Sequence, residues 1–281
     1  MKQLFVSDMD GTLLNPDSRI SGRTTSIITE LSRRGVLFTV ATARTPATVE
    51  PLLSATVTLP PAIVMTGAAM WDRARHAYID THFIPAETAA SIVGACAAHG
   101  IRPFSYTLDS TGIIRTYYNG RTSRREQKFI DERVHLPLKR FEINPAGDAA
   151  TSYPDTVLIF ALGSPDRIYP LADELREQCR CSVSSYPDIF NRDIAFLEVF
   201  ASGVSKASAV EKLKRMTGAD SLTVFGDNIN DLPMMAVADV AVAVGNALPE
   251  VKAAADIVIG SNRDDAVALY VERMSDGNMQ N

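Results

Sequence analysis

Cysteine is scarce in this chain of 281 residues, which holds only Cys96, Cys179 and Cys181. An odd count without paired spacing argues against a disulfide framework. Cys179-Arg180-Cys181 has no second cysteine pair and no histidine pair to complete a metal site, so the cysteines read as structural or inert. Positive charge is not in excess: 28 Lys and Arg against 33 Asp and Glu leave a net charge of −5. Without a basic field the chain is a poor general nucleic-acid binder, although a local site for an anionic ligand stays open. No apolar run is long enough to span a bilayer, and Met1-Lys2-Gln3 leads straight into an apolar strand with no signal peptide between. The expected setting is a reducing cytoplasm, with neither membrane nor nucleic acid as partner. The four histidines, His76, His82, His99 and His135, lack metal-ligand spacing and read as surface or structural.

What is present begins at the amino end. Leu4-Phe5-Val6-Ser7 is a strand-forming run that stops at Asp8, and Asp10-Gly11-Thr12 follows. In open α/β sheets, ligands sit beyond the carboxyl ends of the strands. Two close carboxylates that stay ionised need a cation between them, and an all-oxygen site with few protein ligands suits Mg²⁺. Alone, the two aspartates could equally be ordinary turn formers. A helix over about 22–34 follows, capped by Ser21 and stopped by Gly35. The strand 36–41 ends at Thr42-Ala43-Arg44. Thr45-Pro46 starts another helix, and 62–65 forms a third strand ending at Thr66-Gly67-Ala68. Strand and helix alternating in this way predict a Rossmann-like, doubly wound parallel sheet in an α/β fold.

The pattern then changes. A hairpin is expected over 69–71 and 77–79, and Pro85 opens a helix to Gly100. Mixed elements follow: strands at 103–108, 112–117 and 156–162, helices at about 122–133 and 165–179, with Pro137, Pro145 and Pro154 in loops. The reading is a separate α/β cap over 84–190, inserted into a core formed by 1–83 and 191–281. The core resumes with a strand at 195–200, a helix at 206–216 capped by Ser205, and strands at 222–225, 240–244 and 257–259. A last helix carries Val267, Leu269, Tyr270 and Val271, and the tail 275–281 is expected to fray.

Four strand ends of the core are expected to carry a polar group: Asp8 with Asp10, Thr42, Lys206 at a helix start, and Asp227 in Gly226-Asp227-Asn228-Ile229-Asn230-Asp231. The carboxyl ends of a parallel sheet lie along one edge, so these groups can meet. Phosphoryl transfer needs a nucleophile, a cation, donors for the phosphoryl oxygens and a proton donor for the leaving group. Asp8 suits the nucleophile, and Asp10 the acid that later acts as base. Thr42 and Lys206 suit the phosphoryl group. Asp227 completes a metal site with Asp8 and the backbone carbonyl of Asp10. Asp231 is placed to hold a metal-bound water or to orient Lys206.

Asp8-Met9-Asp10-Gly11-Thr12, Thr42, Lys206 and Gly226-Asp227-x-x-Asn230-Asp231 match, in order, the four motifs of the haloacid dehalogenase superfamily. The inserted lobe and Gly203-Val204-Ser205-Lys206 resemble its Cof-type phosphatases. The resemblance implies a Mg²⁺-dependent phosphatase with a mobile cap, acting on small phosphorylated metabolites, often sugar phosphates, through an aspartyl-phosphate. It implies Asp8, Asp10, Thr42 and Lys206 as catalytic residues. It implies Thr42, Ala43, Arg44, Lys206 and Asn230 for the substrate, and Asp8, Asp10, Asp227 and Asp231 for the metal. Two positions depart from the family pattern: Ala43 stands where relatives have glycine, and Thr66 where they have asparagine. The alternatives are a phosphomutase, which returns the phosphoryl group to a sugar, and a phospho-accepting signalling module. In the cap, Arg121, Arg124, Arg125 and Lys128 read as a solvated helix face.

Overall fold

A computed structural model describes residues 2–144, 153–188 and 191–278. The first stretch holds β1 (Gln3–Ser7), α1 (Gly22–Arg33), β2 (Leu37–Val40), α2 (Pro46–Leu53), β3 (Ala62–Val64), β4 (Ala69–Asp72) and β5 (Ala77–Ile79). The middle of the chain forms α3 (Ala86–Ala98), β6 (Phe104–Leu108), β7 (Ile114–Tyr118), α4 (Arg124–Asp131), β8 (Lys139–Ile143), β9 (Thr156–Gly163), α5 (Pro165–Gln178), β10 (Cys181–Pro187) and β11 (Ala195–Ala201). The last stretch forms α6 (Lys206–Thr217), β12 (Ser221–Gly226), α7 (Leu232–Ala236), β13 (Val240–Ala243), α8 (Pro249–Ala254), β14 (Ile257–Val258) and α9 (Ala266–Asn278). These elements make two units, Met1–Ile79 with Ser205–Asn281, and Asp80–Val204.

The first unit is built on a five-stranded parallel sheet in the order β14-β13-β12-β1-β2. Its strands are apolar runs because helices cover a parallel sheet on both faces. Leu4, Phe5, Val6, Phe38, Leu222, Val224 and Phe225 are essentially inaccessible. Burying each such side chain contributes about 1.5–3 kcal/mol. α1 starts where Ser21 accepts from the Thr24 amide at 2.9 Å. α6 starts at a Ser205–Ser208 capping box and ends at Gly218 in the left-handed conformation. The expected third strand is present as β3. A parallel bridge, Ala41–Ile63, and the Thr42 amide donating to the Ile63 carbonyl at 3.0 Å join it to the end of β2. Its ladder pairing is antiparallel, with β4, which pairs in turn with β5.

The second unit is a six-stranded sheet in the order β10-β11-β9-β6-β7-β8, antiparallel except where β7 meets β8. The strand expected to rejoin the core at 195–200 lies here, as β11 between β9 and β10. This unit therefore spans Asp80–Val204 rather than 84–190. A buried antiparallel strand presents the same apolar run as a parallel one, so composition alone does not assign it to a sheet. Two further strands were not anticipated. β8, Lys-Arg-Phe-Glu-Ile, is rich in charge, and β10 is a serine-rich edge strand. The basic run on α4 is exposed, as expected of a solvated face. The tail does not fray where expected: α9 continues to Asn278, and Ser275 is buried with its hydroxyl donating to the Val271 carbonyl at 2.7 Å. Residues 279–281 and Pro145 lie outside the described residues.

Candidate active site

The site is built on the carboxyl edge of the first unit's parallel sheet. β1 ends at Ser7, and the Asp8 amide donates to the Phe225 carbonyl of β12 at 2.9 Å. The chain then makes one irregular helical turn over Met9–Leu13. Gly11 is required there on two counts. Its φ is +78°, and a Cβ would stand 2.3 Å from Asp227 Oδ2. The close approach lets Thr12 donate from Oγ1 to Asp227 Oδ1 at 2.8 Å. Asn246, after β13, donates from Nδ2 to the Gly11 carbonyl at 2.7 Å.

Asp8 is 7% exposed, Lys206 2% and Asp231 0%. Lys206 Nζ donates to Asp8 Oδ1 at 2.5 Å and to Asp231 Oδ1 at 2.8 Å. Asp231 Oδ2 accepts from the amides of Asp227 and Asn228 at 3.1 and 3.2 Å. Both oxygens of Asp231 are thus engaged, one by the lysine and the other by the turn carrying Asp227. Carboxylate oxygens of Asp8, Asp227 and Asp231 lie within 4.8 Å of one another.

One ammonium does not balance three carboxylates. Burial pushes the Asp8 carboxyl well above its usual range; Lys206 pulls it back, and Asp231 and Asp227 push it further up. Asp227 is pushed up to about 6, first by burial, with Thr12 opposing and Asp231 adding. Burial pulls Lys206 down, but Asp8 and Asp231 outweigh it and hold the ammonium above its ordinary value. The surplus negative charge is what a divalent cation would offset.

Asp10 stands apart from this cluster. Its half-exposed carboxylate receives Arg44 in bidentate fashion, Nε to Oδ2 at 2.7 Å and Nη2 to Oδ1 at 2.6 Å. Among the expected metal-binding side chains, that of Asp10 is therefore not in the acidic group, while its backbone carbonyl is still available. Arg44, expected to face substrate, faces Asp10. The register Ser7–Val40 brings the ends of β1 and β2 side by side, and Thr42 follows β2, 1% exposed. Thr42 Oγ1 accepts from the Arg44 amide at 3.2 Å. Ala43 has no positive φ, so alanine costs nothing there. Asn230 is exposed in the turn before α7.

The departure at Thr66 has a structural cost. Thr66 sits at φ +57°, a left-handed conformation that a β-branched residue tolerates poorly and asparagine tolerates well. Gly67 beside it has φ +99°, and a Cβ there would stand 2.4 Å from the Ser205 carbonyl. This contact seats the start of α6, and so Lys206, against the end of β3. Sequence reasoning missed the roles of Thr12, Gly67 and Asn246. Val244-Gly245-Asn246, a turn after an apolar strand on the same edge, was the available signal for the last.

No helix among the described residues is long and apolar enough to cross a membrane. Residues 5–271 match the family model of haloacid dehalogenase-like hydrolases. The chain is 28% identical to a putative phosphatase of Haemophilus influenzae over 274 residues, covering 97% of this chain and 98% of that one. It is 26% identical to the pyridoxal phosphate phosphatase of Escherichia coli over 279 residues, covering 96% and 97%. The crystal structure of TM0651 from Thermotoga maritima superposes with a TM-score of 0.77 at 25% identity, covering 97% of both chains. With Lys206 bonded to Asp8 and Asp231 beside Asp227 at one sheet edge, and with a match running nearly end to end, the chain belongs to the haloacid dehalogenase-like hydrolases and is a phosphoric monoester hydrolase of the Cof type.

Proposed function

We propose that the protein hydrolyses small phosphorylated metabolites, sugar phosphates foremost, through an aspartyl-phosphate on Asp8 and with Mg²⁺ as cofactor. The observation that carries this reading is the buried Asp8–Lys206–Asp231 triad beside Asp227. The oxygen-only donor set and its surplus charge fit Mg²⁺. Asp8, Asp227 and the Asp10 carbonyl would hold the ion, which when bound supplies charge neutralisation for the phosphoryl oxygens.

Lys206 fixes Asp8 Oδ1 and so orients the other oxygen toward phosphorus. Attack by Asp8 forms the acyl phosphate as the phosphorus–ester bond breaks, and Asp10 delivers its proton to the leaving oxygen. Asp10 then takes a proton from water as that water attacks the acyl phosphate, releasing inorganic phosphate and restoring Asp8. Thr42 and Lys206 hold the phosphoryl oxygens, with the Ala43 amide, Arg44 and Asn230 on the substrate side. Arg44 must release Asp10 before the acid step, because its two bonds occupy both oxygens of that carboxylate. The reducing cytoplasm is the setting we assign.

A screen of phosphorylated metabolites, including sugar phosphates and pyridoxal phosphate, scored by released phosphate, tests the reading. Phosphate release that chelation stops and Mg²⁺ restores supports it. An isomerised sugar phosphate without free phosphate would replace it by a mutase. Asp8→Asn should lower turnover by about four orders of magnitude or more while the fold stays intact. Retained activity would remove Asp8 as nucleophile.

A further inference from the structure

The turn that carries Asp10 is held by two asparagines that no step of the phosphoryl transfer uses. Met9–Leu13 is irregular: Asp10 and Gly11 leave the helical region, at φ −75°, ψ 122° and φ 78°, ψ −10°. Glycine is the most permissive residue in the chain, so the backbone just beyond Asp10 needs a fixed partner. Asn246 supplies one, donating from Nδ2 to the Gly11 carbonyl at 2.7 Å. Asn262, buried, donates from Nδ2 to the Leu14 carbonyl at 2.8 Å. The two asparagines are joined: Asn246 Oδ1 accepts from the Asn262 amide at 2.9 Å and from Ser261 Oγ at 3.4 Å. Their loops, after β13 and after β14, are tied as well, with the Gly245 amide donating to the Gly260 carbonyl at 2.9 Å.

Asn246 is exposed at the rim, where an asparagine in a turn commonly serves only its own backbone. Here its carboxamide joins two distant segments, giving a proton to one and taking one from the other. That pairing calls for a donor and an acceptor on one short side chain. Aspartate has the same shape but cannot donate when ionised. Asp10, by contrast, is half-exposed, and its carboxylate is bonded by Arg44, which must let go before the acid step. From that moment the direction of the Asp10 side chain is set by the backbone beneath it.

We propose that Asn246, braced by Asn262, is a positioning residue for the Asp10 acid: by pinning the Gly11 carbonyl it keeps the Asp10 carboxyl aimed at the leaving oxygen once Arg44 has released it. The proposal rests on the reading of Asp10 as proton donor given above.

A misplaced acid is felt in proportion to the leaving group's need for a proton. A sugar alkoxide needs one, whereas p-nitrophenolate departs without it. The ratio kcat/KM reports the steps up to formation of the aspartyl-phosphate, so the later role of Asp10 as base does not enter it.

The test is to measure kcat/KM at saturating Mg²⁺ for the hexose phosphate that the native protein hydrolyses fastest and for p-nitrophenyl phosphate. Asn246→Asp keeps the shape and the acceptor and removes the donor. It should lower kcat/KM about 100-fold for the hexose phosphate and less than about threefold for p-nitrophenyl phosphate. Asn246→Ala should behave alike, and Asn262→Ala should show the same selectivity with a loss of about tenfold for the hexose phosphate. Equal losses on both esters, or no loss, would overturn the proposal and leave the asparagines as a brace for the fold. Activity toward p-nitrophenyl phosphate also reports folding. Should both Asn246 variants lose it together with the native thermal transition, Asn262→Ala decides by the same criterion. A native protein that releases phosphate from neither ester would sink the proposal together with the reading beneath it, whereas an active native protein with indifferent variants sinks the proposal alone.

Discussion

Each unit buries one lysine to about the same depth, and the two sites treat it in opposite ways. Lys206 and Lys139 are both 2% exposed. Lys206 bonds two carboxylates, and its charge is held above the ordinary range. Lys139, on β8, lies over the rings of Tyr106 at 4.0 Å, Phe141 at 4.9 Å and Phe129 at 5.5 Å. Burial pulls it well below its usual value, and Arg133 lowers it further. A ring face returns at most about 2 kcal/mol to a cation, whereas withdrawing an ammonium from water costs several. Depth alone disfavours the charged form of a lysine, and anionic partners favour it. The lysine whose charge is favoured is the one suited to a phosphoryl group.

The comparison breaks most visibly if Lys206 is removed. Lys206→Met leaves Asp8 and Asp231 buried without a counter-charge and should destabilise the fold by about 3–5 kcal/mol at neutral pH. The loss should shrink on acidification, as the Asp8 carboxyl, already held above its usual range by burial, takes up a proton. Chemical denaturation over a pH series measures both, and a loss that does not change with pH would mean that charge is not the cause.

A divalent cation should stabilise the first unit's surplus of carboxylates and do nothing for the aromatic site. Mg²⁺ at about 100 times its dissociation constant should add roughly 2.7 kcal/mol, seen as a rise in melting temperature. Asp227→Asn should abolish the rise, and an unchanged rise would remove Asp227 from the metal site.

Lys139→Met should be neutral or stabilising by about 1 kcal/mol, since an apolar residue of similar length replaces an amine whose charged form burial disfavours. The sign of its pH dependence follows from the lowered value. The unfolded lysine binds a proton up to about pH 10.4, and the folded one gives its proton up at lower pH. Native stability attributable to Lys139 therefore rises with pH through the alkaline range and levels off near 10.4. The advantage of methionine should shrink over the same range. Denaturation midpoints of the two proteins between neutral and alkaline pH check this; parallel curves would show that Lys139 folds charged.

The smallest effect concerns the support under Lys206. Thr66→Asn should relieve the left-handed backbone at φ +57° and stabilise by about 1 kcal/mol. A destabilised variant would show that the threonine side chain earns its place by contacts rather than by history.

The core strands were legible because a parallel sheet covered on both faces writes continuous apolar runs, as Leu4–Val6 and Leu222–Phe225 do. The motif aspartates and Lys206 were legible because chemistry restricts residue type and spacing. The alignment of Asp8 and Asp227 on one edge followed from β1 and β12 running the same way, whereas Lys206 follows no strand of that sheet and reaches the edge from the start of α6. Three-dimensional packing decided the rest. It sent 195–201 to the second sheet, because pairing partners are chosen between distant segments and leave no local mark. It turned Arg44 onto Asp10 and engaged both oxygens of Asp231 in other bonds, because a side chain's partner depends on where neighbouring elements bring their own groups. The sequence by itself determined which chemistry the first unit can perform; tertiary structure decided which charges survive burial there, since that depends on the counter-charge within bonding distance.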